Sequence, residues 1–525
     1  MRARALLVAL LALAGVAGTV RAQSFLGTIR GTVVDPQGAA VAGASVLAVD
    51  ETTGVPRAVE TDAEGRFEAT NLRPGRYRVE VITSSFKKYQ QTGVVVPAAG
   101  VARVDVRLDL GGLTETVTVS AEGTNNITLE SQAISRGLDE QQLRDLPRSS
   151  RDIQSFLLLN PNVVGGTDDM QFLGGKTYGV SYLQDGQAST NAIFGTIGNS
   201  APGLDAIAEL QVLSNSYSAE YGGLAGVVVT TKRGANAYRG SAFYDFNEDG
   251  LNALTYNQKL SGVERGDPLS DTRHHRWGAS LGGPLKTGKT FFFANYEGSN
   301  QKAIFGGGRA TVPTEAMRNG DFRGTSIRPR DPLTGQAFPD QVIPAGRIDP
   351  AARNIMNFFW PLPNQPGSIN GGYGVFQEFV PITQDRHRAD LRLDHEATKN
   401  DSIFLRGSYQ FRDPQAVTFE AGNALTNLPY LKRSLNTASA VAGWTKILST
   451  TVVNEFRVGY NYDKSDRESN YLAADVSRQL GLEPAPSLGG DRHGFPQIQF
   501  TTGTFRPGNI TDQGRNVDRT LKQNA

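Results

Sequence analysis

Gly283-Pro284-Leu285-Lys286-Thr287-Gly288-Lys289-Thr290 satisfies the G-x-x-x-x-G-K-[ST] spacing of a phosphate-cradling loop. Such a loop works only between a buried strand and a helix, because loop amides and the helix N-terminus together hold the phosphate. Here Trp277, Ala279 and Leu281 alternate as a strand before it, and Phe291-Phe292-Phe293-Ala294-Asn295-Tyr296 after it is β-prone and aromatic. The motif therefore reads as a hairpin turn. The five histidines, His274, His275, His387, His395 and His493, form no H-x-x-E or H-E-x-x-H pair that would place metal ligands on one face. There is no cysteine, which removes disulfides, cysteine zinc sites and thiol catalysis. Arg265-Gly266-Asp267 spells an adhesion tripeptide in a polar loop, a coincidence of spelling. No catalytic triad, carboxylate pair or metal set can be placed, so the expectation is no enzyme, no cofactor and no metal.

The elements that carry these residues are β-rich. The chain has 525 residues, with 59 Gly, 25 Phe and 16 Tyr. Glycine, aromatics and short strands favour sheets over helix bundles. Lys and Arg number 53 against 52 Asp and Glu, a net charge of +1. That balance lacks the basic footprint of a nucleic-acid binder.

Residues 1–22 have the pattern of a secretory signal peptide. Arg2 and Arg4 give the positive start, Ala5 to Val20 is apolar, and Val20-Arg21-Ala22 fits cleavage between Ala22 and Gln23. The alternative, a membrane anchor, needs about 20 apolar residues, more than this run holds. No later stretch could form a membrane helix. A mature protein resident in a membrane must then be a β-barrel, the other structure that satisfies its whole backbone in lipid.

Residues 24–112 show short strands separated by turns, the spacing of a β-sandwich. Turns fall at Asp35-Pro36-Gln37-Gly38, Asp62-Ala63-Glu64-Gly65 and Arg73-Pro74-Gly75. Ala102, Val104, Val106 and Leu108 share one face, and Arg103, Asp105 and Arg107 the other. One face is buried and one wet, as in antiparallel sheets. The order GTIRGTVVDPQGAAVAGASV then TDAEGRFEATNLRPGRYRVEV resembles the carboxypeptidase regulatory-like domain. The resemblance implies an immunoglobulin-like sandwich with a carbohydrate-binding-like fold. It does not imply peptidase activity, and fold alone does not establish saccharide binding.

Thr114-Glu115-Thr116-Val117-Thr118-Val119-Ser120-Ala121 is β-prone and free of turn residues. It can be one more sandwich strand, or a peptide that adds as a strand to a partner's sheet edge. The segment 113–121 resembles the TonB box of TonB-dependent receptors. That resemblance implies contact of Glu115, Thr116, Val117, Thr118, Val119, Ser120 and Ala121 with the periplasmic energy-transducing protein TonB. Residues 122–236 resemble the plug domain of the same receptors. Helix-like segments open at Leu138 and Ile153, and Tyr182-Leu183-Gln184-Asp185-Gly186 is a strand ending in a tight turn. Ala219-Glu220-Tyr221-Gly222-Gly223 precedes a hydrophobic strand that closes in Thr231-Lys232.

From residue 237 the pattern becomes dyad alternation. Tyr238, Gly240, Ala242, Tyr244 and Phe246 oppose Arg239, Ser241 and Asp245; His387, Ala389, Leu391 and Leu393 oppose Arg386, Arg388, Asp390, Arg392 and Asp394. Strands of about ten residues with one charged and one apolar-aromatic face match an outer-membrane barrel, polar in the lumen and apolar toward lipid. A soluble sandwich also has a polar face; strand length and the export signal favour the barrel. GGPLKTGKTFFFANYEG (282–298), VPTEAMRNGDF (312–322) and DPLTGQAFPDQVIPAGRIDPAARNIMNFFWPLPN (331–364) resemble the Oar-like subgroup of TonB-dependent receptors. The run 301–384 is expected as a long extracellular loop. About seven convincing strands lie in 237–525, whereas a 22-stranded barrel needs more than about 220 strand residues. A partial barrel, from an incomplete chain, is therefore expected.

The fold expected is mainly β: an N-terminal immunoglobulin-like sandwich, a small α+β plug, then the first part of a transmembrane antiparallel barrel. The resemblance implies an outer-membrane receptor that takes up an extracellular ligand, with TonB and outer-membrane lipid as partners and no nucleic acid. Siderophore, saccharide and peptide stay open as ligand. The rival expectation is a surface adhesion or carbohydrate-binding protein without transport.

Overall fold

In the computed structural model, the described residues are 26–524 except 85, 112–115, 121–133, 147–151, 167–169, 177–178, 192–194, 196, 198–200, 218, 255, 257–258, 260–263, 266–272, 370–371, 416–430, 450–451, 470–475 and 483–515. The expected signal peptide and its Ala22–Gln23 junction, Glu115, Ala121, His493 and most of the Arg265-Gly266-Asp267 tripeptide lie outside them.

The first unit comprises β1 (Gly27–Val34), β2 (Ser45–Asp50), β3 (Pro56–Glu60), β4 (Arg66–Leu72), β5 (Gly75–Ile82), β6 (Lys88–Val96), β7 (Val101–Arg103), β8 (Val106–Arg107) and β9 (Thr116–Ser120). One sheet runs β4-β1-β7 with β8 also on β1, the other β3-β2-β5-β6-β9. Alternate residues of β1 are buried, so Ile29 and Val33 meet Val46, Val79, Val81 and Leu108 between the sheets. Asp35 and Asp62 fix two turns by accepting amide N–H bonds, from Gln37 at 2.9 Å and Ala39 at 2.8 Å, and from Glu64 at 3.1 Å and Arg66 at 2.8 Å. Gly31 lies so close to the neighbouring backbone that a Cβ there would stand 1.7 Å from the Val104 carbonyl oxygen. Buried Tyr77 donates its hydroxyl to the Arg73 carbonyl at 2.9 Å, which ties the corner before β5.

The second unit is α+β. It holds β10 (Ile134–Asp139), α1 (Glu140–Asp145), α2 (Ile153–Leu157), β11 (Val163–Val164), β12 (Gln171–Phe172), β13 (Val180–Gln184), β14 (Gln187–Ala188), β15 (Ile207–Asn215) and β16 (Ala225–Thr231). The main sheet runs β10-β15-β16-β13-β14, with β13 and β16 parallel. Every residue of β16 is buried, which explains its unbroken Ala-Gly-Val-Val-Val-Thr-Thr run: a strand covered on both faces has no wet side to alternate with. A reciprocal cap between Asp139 and Gln142 starts α1. Leu157 is wholly buried beside Ile153, Tyr182 and Val227. Leu157→Ala is expected to cost about 2–5 kcal/mol, read by denaturant unfolding; a loss under about 1 kcal/mol would contradict that packing.

The third unit is one antiparallel sheet. Its strands are β17 (Arg239–Glu248), β18 (Arg273–Lys286), β19 (Thr290–Val312), β20 (Gln365–Ile369), β21 (Tyr373–Glu396), β22 (Asp401–Gln415), β23 (Leu431–Ile447), β24 (Val453–Ser469) and β25 (Asn516–Asn524). The order is β17-β18-β19-β21-β22-β23-β24-β25, with β20 beside β21. The seven expected strands are present, and β20 and β25 add to them. At one end the connections are short, 287–289, 397–400 and 448–452; at the other they are long, 249–272, 313–372, 416–430 and 470–515. Short turns mark the periplasmic end of such a sheet and long loops the outside.

Burial in this sheet is inverted. Tyr244, Phe246, Leu281, Tyr296, Leu391, Leu405, Tyr409, Phe456 and Tyr460 are exposed, while Asp390, Arg392, Asp394, Arg406, Ser439 and Arg457 are buried. A water-soluble sandwich would bury the apolar face, so this apolar face is built for lipid. Strands reach 24 residues rather than about ten. β19 and β21 stay paired out to Val312 and Gly374, so 301–312 and 373–384, expected as loop, form a paired ribbon, with β20 added beside β21 at its tip. Each strand satisfies the other's amides there, which an isolated loop could not do. The irregular part, 313–372, holds α3 (Glu315–Arg318) and α4 (Pro350–Phe359). Buried Arg318 pins it by donating to the carbonyls of Trp360 (2.5 Å) and Pro361 (2.6 Å).

Candidate functional site

The inward polar face of the third sheet closes on the α+β unit through a buried chain of charges. Asp185 occupies the β13–β14 turn at φ 47°, a left-handed position that Asp tolerates. Its carboxylate accepts the Thr231 amide at 3.0 Å and the Thr231 hydroxyl at 2.8 Å. It also faces Arg392 Nη1 and Arg406 Nε, each at 3.0 Å. Arg392 then forks onto Asp394 at 2.9 and 3.1 Å. Arg73, from the sandwich, reaches Asp394 at 2.6 Å. All four central side chains are at most 3% exposed. The Arg392 guanidinium lies 5.0 Å over the Phe404 ring. One line of alternating charge thus runs from sandwich to barrel wall to α+β unit. In the interior each charge is tolerated only because its neighbours compensate it.

Further contacts hold the sandwich in place. Arg233 pairs with Asp50, and Asn236 donates its amide to the Thr52 carbonyl at 3.1 Å. On the other side, the Ala98 amide donates to Glu209 Oε2 on β15 at 2.9 Å. Burial pushes the Glu209 carboxyl up to about 7; the Ala98 bond opposes this and the Asp139 charge adds to it. A carboxyl that holds its proton more tightly when folded gives stability that is full below its ordinary value of 4.5 and lost as pH rises through about 7. Glu209→Gln is expected to flatten the fall in Tm between those pH values. An unchanged pH slope would contradict this.

The segment read as a TonB box is a strand. β9 lies parallel to β6, with Lys88 opposite Thr116 and Thr92 opposite Ser120, so the sandwich sheet runs past residue 112 to Ser120. The β6 edge supplies partners for the segment's backbone, which a short β-prone sequence takes up readily. β9 is the edge of that sheet, and Thr116, Thr118, Val119 and Ser120 are exposed.

The phosphate-loop motif is the β18–β19 hairpin, turning at Gly288 with φ +67°. Three histidines bond neighbouring hydroxyls across strands: His275 to Tyr244 and His387 to Tyr296 at 2.8 Å, and His395 to Thr290 at 2.9 Å. Among the described residues no group of three His, Asp or Glu could hold a metal ion. Sequence reading placed Arg392 and Asp394 on a polar face but did not single out Asp185, Arg406 or Arg73. The one available signal was charges on every second residue of a strand that crosses lipid.

Residues 28–109 match the carboxypeptidase regulatory-like domain. The TonB-dependent transporter Oar of Myxococcus xanthus is 24% identical over 286 residues, 51% of this chain and 26% of that protein. The TonB-dependent receptor SusC of Bacteroides thetaiotaomicron is 26% identical over 302 residues, 54% of this chain and 28% of that protein. The chain thus spans about a quarter of the length of these curated relatives, which are a transporter and a receptor. Among solved structures, the siderophore receptor PirA of Acinetobacter baumannii aligns at 14% identity over 74% of this chain and 43% of its own, with a TM-score of 0.39. Residues 230–524 match the outer membrane beta barrel domain, which puts the inverted third sheet in the cell outer membrane. The chain belongs to the outer membrane beta barrel domain family.

Proposed function

We propose that the chain acts in a TonB-dependent receptor, a non-enzymatic transporter that takes up an extracellular ligand across the outer membrane. The observation that carries this reading is the buried Asp185–Arg392–Arg406 contact between the α+β unit and the inward face of the barrel sheet. A unit held there by charges rather than by a continuous apolar core can be released without breaking the barrel. In this reading residues 122–236 are the plug, and 115–121 are the segment that TonB engages. Siderophore, saccharide and peptide all remain candidate ligands.

β9 supports the route of force. Its β6-facing edge is paired, and its other edge can accept a partner strand. A pull on this segment enters the α+β unit at β10, which is also an edge strand and, among the described residues, pairs only with β15. The edge yields before the wholly buried β16. Deleting residues 114–121 is expected to abolish energised uptake and leave surface binding intact. Undiminished uptake would contradict the reading.

A further inference from the structure

The sheet of the α+β unit has two buried faces, and the sandwich covers one of them. Val227 and Val228 are neighbours on β16, and both are 0% exposed. Successive strand residues point to opposite faces. Val227 enters the unit's own core with Leu157 and Tyr182. Val228 clusters instead with Leu183, Leu213 and Tyr221, and against them lie Ala98, Leu26 and Ala99 from the N-terminal unit. Ala98 and Ala99 sit in the 97–100 turn that joins β6 to β7. A separate core, built on Ile29, Val46 and Val79, belongs to the sandwich alone. Each unit therefore keeps a core of its own when the two part.

The seam between them is lightly held. On the sandwich side it offers two alanines and Leu26, and alanine buries little apolar area. On β15, Gln211 lies between Glu209, which accepts the Ala98 amide at 2.9 Å, and Leu213 on the same face. Gln211 Oε1 and, on β16, Thr230 Oγ1 are buried without a hydrogen-bond partner. Such atoms are costly when covered and take up water when bared. The ionic contacts between the units leave no charge alone. When Arg73 leaves, Asp394 keeps both bonds from Arg392. When Asp50 leaves Arg233, it keeps the Thr52 and Thr53 amides at 2.9 and 3.0 Å. Arg233 stays in the field of Asp394 and Glu396. Splitting a buried pair is severe only where a charge is left uncompensated.

The docked turn and the segment proposed for TonB meet on one strand. β9 pairs with Lys88–Thr92 of β6, and β6 runs on to Val96 and into the turn that holds Ala98. A load on β9 therefore reaches Ala98 through a single strand. We infer that the sandwich is a reversible clasp on the α+β unit, lifted as a folded body from β15 and β16 by a pull on β9. Docked, it covers Val228 and Leu213 and holds the unit closed. Lifted, it bares that face and lets the unit leave the barrel wall. The pull rests on the receptor reading above, whereas the reversible docking does not.

The test uses the full receptor purified in detergent, with the single-cysteine variants Val228→Cys, Val227→Cys and Val46→Cys, and a small maleimide. Val228→Cys is expected to react about tenfold or more faster than the other two, because sub-global opening exposes only its face. The two β16 variants share one strand and one substitution, so a general loss of stability moves both alike. Equal rates for these two, including no reaction at either, would overturn the clasp. So would Val46→Cys reacting as fast as Val228→Cys, since the sandwich would then be unfolding rather than lifting. In cells, TonB should speed the labelling of Val228→Cys, and a TonB-deficient strain should lose that gain. Equal labelling in the two strains, with TonB cross-links formed at β9, would overturn lifting by the pull. Equal labelling without those cross-links would overturn the receptor reading and the pull with it, while the clasp is judged on purified protein alone.

Discussion

Asp185→Asn is expected to destabilise the packing of the α+β unit on the barrel wall by about 3–5 kcal/mol, the range for removing one partner of a buried ion pair. The asparagine can still accept the Thr231 amide, so the β13–β14 turn is preserved. What disappears is the counter-charge of Arg392 and Arg406, both at most 3% exposed. Arg392 keeps Asp394, but Arg406 has no other carboxylate ion pair among those described. Urea unfolding in detergent should show an early transition of the α+β unit with the barrel transition in place. A loss below about 1 kcal/mol would show that water or other groups already compensate the two guanidiniums.

Proline at both Val117 and Thr118 is expected to abolish capture of a TonB periplasmic domain. Amides along a strand point alternately to its two sides, so two adjacent prolines remove one donor from each edge of β9. One loss weakens the pairing with β6 and the other the addition of a partner strand. The affinity should fall at least tenfold in a titration with the isolated TonB domain. The sandwich core should persist, because Thr116, Thr118, Val119 and Ser120 are exposed and its interior is built from Ile29, Val46, Val79 and Leu108. Unchanged affinity would mean that the segment is a structural strand only.

Much of this architecture is legible from local pattern. Alternation in β1 and around Val104–Leu108 gives the sandwich, and Asp-Pro-Gln-Gly and Asp-Ala-Glu-Gly mark its turns. The dyads from Tyr238 onward give the barrel strands and their two faces. The hairpin at Gly288 follows from the aromatic β-prone residues after it. What escapes is long-range. Asp185 meets Arg392 across 207 positions, and no local spacing encodes that meeting. The same holds for Ala98, which meets Glu209 across 111 positions. Strand length is underestimated because β19 and β21 remain paired past residue 301, where Gly306-Gly307-Gly308 and Pro381 interrupt the alternation. β9 is ambiguous for a different reason: Thr-Val-Thr-Val-Ser suits its own sandwich edge and a partner's edge equally well.

The most direct measurement is site-specific disulfide trapping, since the chain has no cysteine of its own. Cysteines placed singly at Thr116, Val117, Thr118, Val119 and Ser120 would be paired in cells with single cysteines along the strand-forming end of TonB. A TonB-driven receptor predicts cross-links that shift in register, residue by residue, as a strand pair requires. Absence of a cross-link at all five positions, with the protein present in the outer membrane, would contradict the account.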